Sequence, residues 1–197
     1  MFNDNPIVSA LRRIRFCSLL LLPVLLAAPA LSQQLDLATN YSYLRSNPNG
    51  NGTPFDSAGG SISGAWYFRP WASVAADFGG YNFHALSPGV SGRLFTYAVG
   101  PRFSYPRNRH RVDLFGHILV GGARVNETIG SQSGGENGFA LIAGGGADLR
   151  LNSFLSLRFL QADYLMTRFN RVNNTPGIQN DVRVSAGLTI HFNIAPR

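Results

Sequence analysis

The chain has 197 residues, a formal net charge of +7, and no lysine among its 17 basic residues. A lysine-free chain cannot carry a P-loop lysine or form a Schiff base. Its only cysteine, Cys17, cannot form a disulfide within the chain or a zinc site built from several thiolates.

Residues 1–32 have the pattern of a secretory signal peptide. Three arginines precede an apolar run from Phe16 to Ala28, and small residues follow this run. An N-terminal transmembrane anchor is the alternative, but the run is shorter than the ~20 residues that cross a bilayer, and Pro23 interrupts it. We expect cleavage before Gln33. Cys17 lacks the preceding residues of a lipoprotein site, so we expect no lipid anchor.

The remaining residues, 33–197, are expected to form one domain of strands. Apolar and polar residues alternate from Leu35 to Phe192, a period typical of half-buried strands. The last strand shows it best, with apolar residues on one face: Val182, Val184, Ala186, Leu188, Ile190 and Phe192. The first strand starts at Leu35, and six more segments follow: 57–68, 71–82, 92–105, 111–124, 138–151 and 154–169. The alternation changes phase near Leu160, which predicts a β-bulge.

The predicted connections alternate in length along the chain. The short ones are 69–70, 106–110 and 152–153, and the long ones are 45–56, 83–91, 125–137 and 170–179. All long loops then fall at one end, as in outer-membrane barrels with short periplasmic turns and long external loops. An even number of strands brings both termini to the periplasmic end.

Aromatic residues fall into two predicted girdles, as expected at the two membrane interfaces. One is near the short turns: Trp66, Phe68, Trp71, Phe103, Tyr105, Phe154 and Phe192. The other is near the long loops: Tyr41, Tyr43, Tyr81, Phe95, Tyr97 and Phe169. The sequence therefore predicts an all-β, eight-stranded, antiparallel up-and-down transmembrane β-barrel. A soluble lipocalin-like barrel, with its apolar face inward, is the alternative, but it does not explain the girdles.

The chain resembles the small outer-membrane β-barrel family that includes the OmpA barrel domain and the OmpX-like and Opa-like surface proteins. The segments GPRFSY at 100–105 and QADY at 161–164 are similar to outer-membrane barrel domains of the acidobacterial type. The resemblance implies a monomer in the bacterial outer membrane, in contact with its lipid and lipopolysaccharide and inserted by the outer-membrane assembly machinery. Such barrels often end in an aromatic residue, whereas residues 193–197 follow Phe192 here. We expect no peptidoglycan-binding domain after the barrel.

An eight-stranded barrel has a lumen that side chains can fill. Asp36 is one predicted inward charge, and the others form a predicted lumen charge network: Asp77, Arg102, Asp113, His117, Asp148, Arg150, Arg158, Asp163 and Arg183. Buried charges need partners, so we predict a plug of ion pairs and a structural or surface-interaction role. The alternative is a narrow ion channel or small-solute transport through exchangeable pairs.

Catalytic, metal and nucleic-acid sites are not predicted. No histidine is followed by serine two positions later, and no His-Glu-x-x-His or metal-ligand spacing occurs. We therefore expect no enzyme activity, no metal and no cofactor, with His117 as a hydrogen-bonding lumen residue. The basic cluster at 107–111 lies in a short turn, and we expect it to be solvated and not to bind nucleic acid.

Five arginines lie at strand ends beside the long loops. These are arginines whose guanidinium groups could bind phosphates of lipopolysaccharide: Arg45, Arg93, Arg124, Arg168 and Arg171. Asp56, Glu127 and Glu136 are the nearby acidic residues. The alternative, that these arginines only solvate the strand ends, is equally compatible with the sequence.

Overall fold

Eight antiparallel strands form a closed barrel. The computed structural model describes residues 34–48, 55–84, 90–105, 111–129, 132–172 and 175–193; the predicted signal peptide and its cleavage site lie outside these residues. The strands are β1 (Gln34–Pro48), β2 (Phe55–Arg69), β3 (Ala72–His84), β4 (Val90–Ser104), β5 (Val112–Ile129), β6 (Gln132–Arg150), β7 (Leu155–Val172) and β8 (Thr175–Asn193). Each strand pairs with the next in the chain, and β8 closes the barrel on β1. The predicted fold class is confirmed.

The outer wall of the barrel is apolar, and its interior holds the buried charged residues together with a cluster of apolar side chains that includes Leu119, Ile142 and Leu165. Outward side chains such as Ile62 and Phe78 are 60% and 62% exposed, whereas the inward Asp77 and Arg158 are buried. The lipocalin-like alternative is therefore wrong, because an inward-facing core would reverse this pattern. A wall of this kind needs a lipid environment, since water would otherwise contact a continuous apolar surface. Among the described residues, no helix is long and apolar enough to cross a membrane.

The two ends of the barrel differ in how far the strands extend. On β5 the outward residues are mostly apolar from Val112 to Val120, and polar from Arg124 onward. β5 and β6 nevertheless stay paired as far as Ile129 and Gln132. In outer-membrane barrels the extended end is the extracellular one, which would make the end that holds Gln34 and Asn193 periplasmic.

The predicted long loops are the main error in the strand assignment. Most of segment 125–137 belongs to β5 and β6, and most of segment 170–179 belongs to β7 and β8. Both faces of a hairpin outside the membrane contact water, so its residues need not alternate in polarity. Alternation therefore disappears although the backbone ladder continues.

The predicted bulge in β7 is confirmed. The pairing of β7 with both neighbouring strands shifts by one residue between Arg158 and Gln161. Phe159 and Leu160 consequently both face outward, at 49% and 47% exposure. The bulge lets Arg158 and Gln161 point into the lumen from the same strand, at odd spacing.

Two aromatic residues were assigned to the wrong face. Tyr81 and Phe169 were predicted in the extracellular girdle, but both are buried inside the barrel, at 1% and 8% exposure. Each lies an even number of residues from an inward aspartate on its own strand, Asp77 or Asp163, so strand geometry turns it inward. The other predicted girdle residues are exposed.

Candidate functional site: the lumen and the extracellular rim

Arg183 on β8 is the centre of the lumen charge network. Its side chain is fully buried. Nη1 donates to Asp77 Oδ1 and to the Tyr81 hydroxyl, each at 2.8 Å, and Nε donates to Asp163 Oδ2 at 2.8 Å. Asp77 and Tyr81 lie on β3, three strands away around the barrel. The guanidinium therefore ties opposite parts of the wall together through the lumen.

A second buried ion pair lies nearer the periplasmic end. Arg158 donates from Nε and Nη2 to the two oxygens of Asp148, at 2.8 and 3.0 Å, in a bidentate pair. Arg158 Nη1 also donates to Gln161, which donates in turn to Asp163 at 2.7 Å. This chain of bonds joins the Asp148 pair to the Arg183 cluster, so the charged groups form one network.

Arg102 is held differently from the other two buried arginines. Its Nη2 lies 3.6 Å from Asp148, whose oxygens already accept the shorter bonds from Arg158. Instead its guanidinium carbon lies 3.8 Å from the centre of the Phe115 ring, and that of Arg158 lies 4.6 Å from the same ring. Phe115 therefore stabilises two buried cations through its π face.

A glycine on β6 makes room for a contact between two non-adjacent strands. Gly144 pairs with His117 of β5 on one side and with Asp163 of β7 on the other. His117 Nε2 reaches across it to within 3.1 Å of Asp163 Oδ1. A Cβ at Gly144 would overlap the Asp163 carboxylate and the backbone oxygen of Ala162. The His117–Asp163 contact therefore requires glycine at this position.

Substituting Gly144 with alanine should destabilise the barrel by about 1–3 kcal/mol, because the added methyl group overpacks the lumen. Gly134→Ala is the matched control on the same strand, since a Cβ at Gly134 meets nothing within 4 Å. Urea unfolding in detergent measures both variants. Equal stability of the two variants would contradict the role of Gly144 as a spacer.

The structure brings together a serine, a histidine and an aspartate that the sequence analysis missed. Ser156 Oγ lies 2.7 Å from His191 Nε2, and His191 Nδ1 lies 2.8 Å from Asp36 Oδ1. The three residues are on β7, β8 and β1, so their order along the chain gives no sign of the contact. The sequence places Asp36 and His191 on the inward faces of the first and last strands, and closure of the barrel pairs them. Ser156 is 0% exposed, so a substrate cannot reach its hydroxyl in this structure.

The remaining predicted lumen residues lie at the periplasmic mouth. Arg150 Nη2 lies 3.0 Å from Asp113 Oδ2, and both side chains are only partly buried. A small cavity nearby, lined by Asp36, Arg102 and Asp148 among others, has a volume of about 20 Å³, enough for roughly one water molecule. No group of three or more potential metal-ligating side chains occurs among the residues that the structure describes.

The rim arginines do not form one uniform ring. Arg45 is paired with Asp56, at 3.1 Å between Nη1 and Oδ1, so its charge is compensated. Arg93, Arg124 and Arg168 are exposed on β4, β5 and β7. The Arg171 side chain lies outside the described residues.

Comparison with solved structures identifies the fold. Neisserial surface protein A has 14% identity and a TM-score of 0.65, covering 80% of this chain and 97% of that one. Ail of Yersinia pestis has 15% identity and a TM-score of 0.56, covering 82% and 100%, and a second Ail structure contains the heparin analogue sucrose octasulfate. OprG of Pseudomonas aeruginosa has 9% identity and a TM-score of 0.52, covering 82% and 97%.

Searches of protein families and of curated proteins give no match. The acidobacterial resemblance therefore stays a prediction. The chain has the fold of the small eight-stranded outer-membrane β-barrels, with an apolar outer wall of the kind that lipid covers.

Proposed function

We propose that this protein is a closed barrel with a structural or surface-interaction role in the outer membrane, and that it does not conduct ions or solutes. The observation that carries the proposal is the bonding of Arg183 and Arg158, which are 0% and 1% exposed inside the lumen. Each guanidinium is bonded to carboxylates on other strands. A solute could pass only if these ion pairs separated.

The cost of separating these pairs supports a closed state. A buried guanidinium or carboxylate that loses its partner loses several kcal/mol of interaction without regaining full hydration. The Arg183 group also holds together β3, β7 and β8, so moving its side chain disturbs three strands at once.

Planar-bilayer recording tests this proposal. Purified, refolded protein should give no reproducible conductance steps, because the ion pairs obstruct the lumen. The conductance of the Arg183→Met variant is recorded for comparison, because this variant lacks the guanidinium that crosses the lumen. Stable conductance steps from the unsubstituted protein would contradict the closed barrel and favour the narrow channel.

The extracellular rim is the part of a closed barrel that remains available to a partner. Exposed arginines there favour an anionic partner, either lipopolysaccharide in the same leaflet or a soluble polyanion. The polysulfated ligand in one Ail structure is an example of the second kind on a barrel of this fold. We also propose that the protein acts as a monomer and reaches the membrane through the outer-membrane assembly machinery.

A further inference from the structure

We propose that Arg93, Arg124 and Arg168 form a one-sided site for the phosphate groups of lipopolysaccharide on the outer wall between β4 and β7. We call these three residues the arginine face. The inference deepens the proposed function and rests on it, because it names the partner of the rim and the part of the rim that binds.

The strand register places Arg124 between Arg93 and Arg168 on the outer wall. Arg93 is opposite Asn126, so Arg93 and Arg124 are diagonal neighbours on adjacent strands, roughly 7–8 Å apart. Arg168 lies two strands from Arg124, a lateral separation of about 10 Å. Arg124 Nε donates to Asn126 Oδ1 at 3.2 Å, a bond toward the extracellular end of β5. Arg124 therefore lies between Arg93 and Arg168, and the three residues form one diagonal row on the outer wall.

The outward charge on this side of the barrel is not compensated by described groups. Among the described residues, the positions that alternate outward on the eight strands include one carboxylate, Asp56. Asp56 is on β2 and pairs with Arg45. Glu136 is at an inward position of β6, on the same face of the strand as Ala140 and Ile142. Among the described residues at this end, the outward arginines without a nearby outward carboxylate therefore lie on the side from β4 to β7, whereas Arg45 is paired with Asp56.

The height of the arginine face favours a lipid over a soluble ligand. Phe95 is directly opposite Arg124, and Phe139 is directly opposite Arg168. Both phenylalanines point outward, at 44% and 45% exposure, at the extracellular edge of the apolar wall. Arg124 and Arg168 consequently lie at the edge of the apolar wall, the level at which lipid headgroups begin. Arginine binds phosphate with two parallel hydrogen bonds, and apolar rings beneath it can contact acyl chains.

The test compares two triple variants that change the net charge equally. Arg93→Gln with Arg124→Gln and Arg168→Gln removes the arginine face. Arg45→Gln with Arg69→Gln and Arg111→Gln removes three exposed arginines elsewhere. Binding of purified lipopolysaccharide, of dephosphorylated lipopolysaccharide and of sucrose octasulfate is measured in detergent at low and high salt. Circular dichroism of each variant verifies the barrel.

We expect the first variant to bind lipopolysaccharide at least roughly tenfold more weakly at low salt, with a smaller difference at high salt. The second variant should bind lipopolysaccharide as strongly as the unsubstituted protein. Dephosphorylated lipopolysaccharide should bind equally to all three proteins. An equal loss in both variants would mean that only net charge matters and would overturn the site. A loss confined to sucrose octasulfate would assign the face to a soluble polyanion and overturn the lipid assignment. Conductance recorded on the same preparations bears on the closed lumen alone, so the two proposals can fail separately.

Discussion

Replacing Arg183 with methionine should destabilise the barrel by about 3–5 kcal/mol, the cost of breaking a buried ion pair by removing one partner. The substitution leaves Asp77 and Asp163 without this guanidinium in the lumen, where they are 2% exposed. It also removes the donor to the Tyr81 hydroxyl. The free energy of unfolding in urea, followed by the fluorescence of Trp66 and Trp71, measures the loss.

Arg45→Met is the matched control for this prediction. The Arg45–Asp56 pair is exposed on both sides, at 57% and 48%, and such pairs contribute about 0–1 kcal/mol. Adding Asp77→Asn and Asp163→Asn to Arg183→Met should recover part of the stability, because the buried negative charges are then absent. Refolding of this triple variant but not of Arg183→Met supports the same conclusion. An Arg183→Met protein within 1 kcal/mol of the parent would contradict the network as a stabilising element.

Replacing Leu188 with arginine should cost roughly 2–4 kcal/mol, because it places a charge against lipid near the middle of the hydrocarbon layer. Leu188 is 46% exposed on the outer wall and lies among the outward apolar residues of β8 from Val182 to Phe192. The cost should fall for substitutions nearer either interface, where the arginine side chain can reach water.

Asn137→Arg is the control, because it places the same side chain at an outward position that lies outside the lipid. Asn137 faces outward on β6 and is exposed, and it lies opposite Arg124 in the extracellular part of the barrel. We expect its effect to be below about 1 kcal/mol. Refolding into lipid vesicles, assayed by the change in gel mobility on heating, compares the two. Equal refolding of Leu188→Arg and Asn137→Arg would mean that the wall around Leu188 does not contact lipid.

Most of the strand pattern could be predicted from the sequence, and the failures have physical causes. Alternation of side chains is a property of the extended backbone, so polarity reveals strands wherever lipid lies on one side and charged groups on the other. That contrast ends at Arg124 on β5, and the prediction ended there too, although the strand continues to Ile129. Tyr81 has the inward spacing of Asp77, whereas its aromatic ring alone is typical of a membrane interface, and the spacing decides its position.

The sequence by itself determined the class of fold, the charged residues that face the lumen and the bulge in β7, because each depends on local alternation. Only the tertiary structure decided which of these residues bind each other. Arg183 and Asp77 are 106 residues apart, and His191 meets Asp36 and Ser156 only because β8 pairs with both β1 and β7. Those contacts depend on closure of the barrel and on the register of every strand around it. Alternation along one strand carries no information about either.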